Sequence, residues 1–262
     1  MKLQPLVILL LWTWLGLLAH AAAAPRESTA SPASPAGQSR TTPNSLFAAG
    51  LEAYRAGDFD AAAEAFGRCA LEHPSAGAWQ NLGNAEWRRG RLGPAIVAWE
   101  RALWIDPRDA RSRNNLRFVR EQAQLEAPEL RWHEIASTWL PHVWWAWITT
   151  ASLWLTGGLT ILPVVLRWRR AGWHHAGAAV ALGIFLLTIP AQIGTYTRAR
   201  IGFVLERDTL LRLTPTTEGE AVTQLGAGDP VRVVRTKGDY LFVETGRAKG
   251  WLTKTELALI CP

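Results

Sequence analysis

From residue 44 to 122 the chain places apolar and small side chains at helical spacing. Leu46, Ala49 and Gly50 share one helix, Tyr54 follows, and the turn Gly57-Asp58-Phe59 leads to Ala62, Phe66 and Cys69, with Pro74 closing the unit. A second unit repeats the pattern through Trp79, Leu82, Gly83, Trp87, Gly90, Leu92, Ala95, Trp99, Ala102 and Pro107. Gly50 and Gly83, Ala62 and Ala95, Phe66 and Trp99, and Pro74 and Pro107 each stand 33 residues apart. A repeat of this length predicts stacked helix pairs, which form a surface suited to holding other proteins. The small residues are expected to let paired helices approach closely, while Phe66 and Trp99 fill the space between successive pairs. A last helix, about 108–124, carries Arg113, Arg117, Arg120 and Glu121 on a polar exterior that suits a terminal cap.

The pattern then changes twice. Residues 143–166 contain no charge, and 176–197 are interrupted only by Pro190 and Gln192, so both are long enough to cross a bilayer. Trp139, Trp144, Trp145 and Trp147 cluster at one end of the first span and Trp168 and Trp173 at the other, as aromatic belts do. Two buried helices of a soluble core are excluded, because nothing else in the chain is large enough to cover them. The segment Leu130–Leu140, flanked by Trp132 and Trp139, reads equally as a helix lying on the membrane boundary and as an extension of the first span. Beyond Ile201 short alternating strands are predicted at Phe203–Glu206, Leu210–Leu213, Ala221–Leu225, Val231–Arg235, Tyr240–Glu244 and Trp251–Leu252. Gly226-Ala227-Gly228-Asp229 and Lys237-Gly238-Asp239 supply turns between them.

The N-terminus has the form of a secretory signal: Lys2, an apolar run Leu6–Leu18, then His20 and four alanines. Removal after Ala21 to Ala23 is expected, the alternative being an uncleaved anchor. Residues 24–43, rich in Pro, Ser, Thr and Ala, have no apolar period and read as a flexible tether. The expected order is signal peptide 1–23, linker 24–43, helical repeats with cap 44–126, juxtamembrane segment 127–142, span 143–166, basic loop 167–175, span 176–197 and β module 201–262. Arg167, Arg169 and Arg170 between the spans should hold that loop in the cytoplasm, which sends the repeats and the β module to the outer side. Arg198 and Arg200 weaken this asymmetry without reversing it.

The net charge of +6 over 262 residues therefore reads as membrane topology and not as a nucleic-acid footprint, since the helical segment balances its acids and bases. Cys69 and Cys261 form no CxxC or Cys/His motif, and Cys69 takes a small-residue position in the first repeat, where a buried thiol is expected. His133-Glu134 lacks a second histidine at helical spacing. His174-His175 has no further metal ligand in its loop, and Gly226-x-Gly228 precedes a strand, so no helix N-terminus is present for phosphate. No metal, cofactor or catalytic residue is expected, and nothing argues for an enzyme.

Trp79-x2-Leu82-Gly83, Ala95, Trp99, Ala102 and Pro107 resemble the tetratricopeptide repeat over roughly 80 residues. Tyr54 and Trp87 lie one position later than that family's usual aromatic, and the repeat is one residue short. Residue by residue, the resemblance implies a protein-binding groove lined by Phe47, Leu51 and Tyr54, then Gln80, Asn84, Trp87 and Arg88, then Arg111 and Phe118. Such an aromatic shelf with amide and guanidinium donors suits an extended peptide, Arg88 or Arg111 meeting a carboxylate. Lys249-Gly250-Trp251-Leu252 and the strand pattern resemble a bacterial SH3-like barrel. The fold class expected is thus a multidomain membrane protein, with all-α repeat hairpins, a two-helix transmembrane hairpin and a small all-β barrel. The domain order resembles the BatE-type proteins of bacterial aerotolerance operons. The resemblance implies an inner-membrane scaffold whose partners include membrane proteins with von Willebrand A-type domains and a cytoplasmic MoxR-type ATPase. The alternative is a cell-wall sensor whose β module contacts peptidoglycan.

Overall fold

Five helices fill the repeat region in the computed structural model, which describes residues 43–166 and 172–261: α1 (Pro43–Ala56), α2 (Phe59–Glu72), α3 (Ala76–Arg88), α4 (Leu92–Ile105) and α5 (Ala110–Ala123). The expected signal peptide, nearly all of the linker, and Arg167, Arg169 and Arg170 lie outside the described residues. Helix α1 begins at Pro43, whose fixed φ and missing N–H suit a first helical position. Asp58, Ser75 and Asp109 start α2, α3 and α5 by accepting backbone N–H groups of the first turn, at 2.9 Å from Ala61, 3.2 Å from Ala78 and 3.1 Å from Ser112. Gly57 and Gly90, one repeat apart, turn the chain after α1 and α3 at φ of 82° and 76°, a region where a side chain would be strained.

The 33-residue landmarks are packing positions. A Cβ on Gly50 would stand 2.7 Å from the Phe66 ring, and one on Gly83 2.5 Å from the Trp99 indole nitrogen. Each aromatic therefore lies flat on the glycine of its own pair. Phe66 also reaches the next pair through Leu82 and Ala85, so it fills both the space within a pair and the space between pairs. Ala62 and Ala95 are fully buried.

A short helix, α6 (Trp132–Ser137), precedes α7 (His142–Val165) and α8 (Trp173–Arg198). Pro141 separates α6 from α7, so the 130–140 segment is not a continuous extension of the long helix. It packs instead on the end of α8, with the His133 carbonyl lying where a Cβ on Gly194 would be. Helices α7 and α8 are each long and apolar enough to cross a membrane, at about 36 Å or more each at 1.5 Å per residue. They pair along Ser152, Ala178, Ala181 and Thr188, and Thr149 Oγ1 lies 2.9 Å from Thr188 Oγ1 while accepting from Gln192 Nε2 at 3.0 Å. Their outward side chains are exposed, Leu187 at 80%.

Seven antiparallel strands follow among the described residues: β1 (Ile201–Val204), β2 (Thr209–Arg212), β3 (Ala221–Leu225), β4 (Pro230–Lys237), β5 (Tyr240–Glu244), β6 (Lys249–Thr253) and β7 (Leu257–Leu259), in the order β3-β2-β6-β5-β4-β1-β7. Lys237 pairs with Tyr240 across a two-residue hairpin whose Gly238 has φ of 59°. Alternate residues such as Val204, Leu211, Val243 and Leu252 close the sheet's own core.

The sheet docks on α4. Ile96 and Trp99 of that helix share a core with Ile201, Phe203 and Ile260, and Arg101 Nε donates to the Leu259 carbonyl at 3.1 Å. The described residues accordingly belong to one compact unit. A Cβ on Gly93 would collide with the carbonyl oxygens of Val204 and Leu205, which are backbone and cannot swing aside. Gly93→Val is therefore expected to cost about 1–3 kcal/mol. Limited proteolysis between α5 and the sheet should speed up, and an unchanged digestion pattern would contradict this contact.

Candidate functional site

The sheet covers α4 and leaves the α3 and α5 side of the array open. There the described side chains include Phe118, 57% exposed, with the Trp87 ring edge-on at 6.4 Å. Arg88, next in the chain, is exposed and lays its guanidinium 4.5 Å from the Phe59 ring centroid, while Tyr54 meets the same ring edge-on at 5.3 Å. Tyr54, Phe59, Arg88, Trp87 and Phe118 thus form two adjoining aromatic clusters linked through the end of α3. Arg111 stands exposed at the start of α5.

The remaining residues that the sequence assigns to this groove have other commitments. Phe47 is half-buried and edge-on to Phe66 at 5.5 Å, and Leu51 packs in the same cluster. Gln80 is 8% exposed. Asn84 Oδ1 accepts from Trp99 Nε1 at 3.2 Å and from Asn115 Nδ2 at 2.8 Å, and so ties α3 to α4 and α5. Phe59 is the aromatic the sequence reading passed over. Its signal was its place beside the Gly57 turn, where an apolar residue has to rest on a neighbouring helix. An ion network borders the face: Arg89 Nε is 2.6 Å from Asp60 Oδ1 and Arg89 Nη1 is 3.1 Å from Glu86 Oε2, with Arg91 Nη1 at 3.6 Å from the same carboxylate.

Beneath the array lies a polar junction. Glu134 of α6 is fully buried and accepts from both terminal nitrogens of the Arg232 guanidinium, Oε1 from Nη1 at 2.6 Å and Oε2 from Nη2 at 3.0 Å. Glu134 Oε2 also accepts the Arg131 backbone N–H at 2.9 Å, and Arg232 Nη2 donates to the Glu129 carbonyl at 3.2 Å. Burial alone would raise this carboxyl, but the hydrogen bonds from Arg232 and from the Arg131 N–H, with the Arg232 charge, outweigh it and hold the pKa at about 2. Ser137 Oγ donates to the Glu134 carbonyl at 2.6 Å and accepts from Arg198 Nη1 at 3.3 Å. The guanidinium of Arg198 lies over the ring of Trp104 of α4, and His142 at the start of α7 stacks on the same Trp104, with ring centroids 5.5 Å apart. One set of contacts thereby joins the array, the sheet, the start of α7 and the end of α8.

Among the described residues no cluster of three or more His, Cys, Asp or Glu is placed to hold a metal ion. Cys69 is a buried thiol, pushed upward in pKa by that burial and then by the nearby Glu72 carboxylate. No family model and no curated protein matches this chain.

Proposed function

We propose that this chain is a non-enzymatic membrane adaptor. Its tetratricopeptide-type helix pairs and SH3-like sheet stand together on one side of a bilayer that α7 and α8 cross, and it binds partner proteins through the open α3 and α5 face. The observation that carries this reading is the division of labour around the array. The sheet and the junction occupy the α4 side, while Arg88 and Phe118 remain exposed on the other, with half-buried Trp87 edge-on to Phe118. An array bound on its back and bare on an aromatic, guanidinium-bearing front is arranged to receive a ligand.

The contacts of the junction also favour a shared side. Trp104 of the array meets both His142 at the start of α7 and Arg198 at the end of α8. If the two helices cross, array and sheet then share a compartment, and the arginines at 167, 169 and 170 argue that this compartment is the outer one. The long apolar side chains left exposed on α7 and α8 agree with lipid as their solvent. The BatE-type resemblance proposes the partners, membrane proteins with von Willebrand A-type domains and a MoxR-type ATPase system, within an envelope stress complex of a bacterial inner membrane.

Extraction of the full chain from native membranes tests this reading. A defined set of proteins is expected to co-purify with it, and Phe118→Ala or the pair Trp87→Ala with Arg88→Ala should remove at least one while leaving the helical circular dichroism intact. A chain that migrates alone on native gels, or a partner set indifferent to both variants, would overturn it.

A further inference from the structure

The last residue of α8 carries a buried charge that makes no direct ion pair, although the Glu100 and Glu134 carboxylates lie near enough to act on it. Arg198 is buried, its Nη1 donates to Ser137 Oγ at 3.3 Å, and its guanidinium carbon stands 4.7 Å from the Trp104 ring centroid. Both of these partners are neutral, so the Glu100 and Glu134 carboxylates offset the charge only at a distance and its N–H donors are not all taken up. Arg198 lines a cavity of about 350 Å³, together with Arg113 and Arg120 of α5 and Glu100 and Trp104 of α4. The convergence follows from helical spacing, since Arg113 and Arg120 lie two turns apart on one face and Glu100 and Trp104 one turn apart on the next helix.

The one carboxylate among these residues is already engaged, with Arg120 Nη2 2.5 Å from Glu100 Oε1. Arg113 Nη2 donates to the Pro107 carbonyl at 2.6 Å, again a neutral acceptor. Arg198 and Arg113 are left with N–H donors to spare, and the three arginines of the cavity lining outnumber its one carboxylate. The other walls include Leu103, Leu130 and Ile260, so the cavity is basic at one side and apolar at the other.

We propose that this cavity holds the phosphate of an anionic lipid headgroup, with buried Arg198 at its floor and exposed Arg113 at its rim. Guanidinium groups suit phosphate because their planar N–H forks match its oxygens. The location selects a lipid. Arg198 ends α8, His142 begins α7 and stacks on Trp104, and the exposed rings of Trp139 and Trp144 stand where tryptophans mark the headgroup layer. The apolar wall would take the glycerol carbons next to the phosphate. This inference rests on the reading of α7 and α8 as bilayer spans.

The test uses the full chain in nanodiscs of phosphatidylcholine doped with phosphatidylglycerol, followed by native mass spectrometry of the lipid retained after transfer to detergent. Phosphatidylglycerol should be retained in preference to phosphatidylcholine. Arg113→Gln, an exposed substitution that leaves folding intact, should lower that preference about fivefold, and Arg198→Gln should abolish it. Equal retention of the two lipids, or an unchanged preference in Arg113→Gln, overturns the proposal if the chain stays with the bilayer after an alkaline carbonate wash. Release by that wash overturns the spanning reading and the lipid site together. Protection by glycerol phosphate in solution with no lipid preference would overturn the lipid assignment in favour of a soluble phosphate.

Discussion

Arg232→Ala is expected to destabilise the described unit by about 3–5 kcal/mol, because it leaves the fully buried Glu134 carboxylate without its ion-pair partner. The wild-type carboxylate has both oxygens engaged by the guanidinium and a further bond from the Arg131 N–H. Arg198 is near enough to act on the carboxylate but makes no direct contact with it, reaching the Ser137 hydroxyl and the Trp104 ring instead, so it replaces the lost pair only in part. Chemical denaturation of the full chain in detergent, followed through hydrogen exchange in α6 and β4, would measure the loss. A change below about 1 kcal/mol would mean that the pair is solvated and the junction loose. The double variant Glu134→Gln with Arg232→Met should cost less than Arg232→Ala alone, since no bare charge remains inside.

Acid offers a second readout of the same pair. The Glu134 carboxyl titrates at about 2 against an ordinary 4.5, so the folded state holds the ionised form more tightly than the unfolded chain does. Its contribution, roughly 3 kcal/mol for a shift of that size, is fully present above about 4.5 and is lost as pH falls from there towards 2. In Arg232→Ala the sign reverses, because burial without a partner pushes the carboxyl upward and protonation relieves the site. Wild type and variant should therefore draw together in stability as the pH is lowered, and a constant gap would contradict the assignment.

This junction could not be read from the chain. Glu134 and Arg232 are 98 residues apart, and Glu134 entered the sequence reading only as half of an incomplete metal motif. Arg198 counted there as one more charge in a topology balance, whereas its contacts with Ser137 and Trp104 depend on how three distant segments meet. Periodic features were legible because they need no such knowledge. The 33-residue landmarks, the two uncharged runs and six of the strands announce themselves through local repetition and turn residues. The seventh, Leu257–Leu259, has three residues and takes its register from β1, more than 50 positions earlier. Asn84 shows the same limit inside the candidate site. Its position on α3 marks it as a groove donor, yet its oxygen is held by Trp99 and Asn115, 15 and 31 residues further on.

Trp99→Ala is expected to be as damaging as Arg232→Ala, at about 3–5 kcal/mol, chiefly through packing, with the indole's hydrogen bond to Asn84 lost as well. The indole is 1% exposed and lies between Gly83, which has no side chain to fill the space it would vacate, and the core that α4 shares with Ile201, Phe203 and Ile260. Collapse of the cavity is blocked on one side by the α3 backbone and on the other by strand β1, so little of the lost contact can be regained. The same core links array and sheet, and the two should therefore still unfold in one transition, shifted to lower denaturant. The glycine provides the internal control. Gly83→Ala alone drives a methyl group into the indole and should cost about 1–3 kcal/mol, whereas the same substitution made on top of Trp99→Ala has vacant space to enter. The double variant should thus be more stable than the sum of the single losses allows, by more than about 0.5 kcal/mol. Strict additivity would show that Gly83 and Trp99 do not share the contact on which the 33-residue repeat is built.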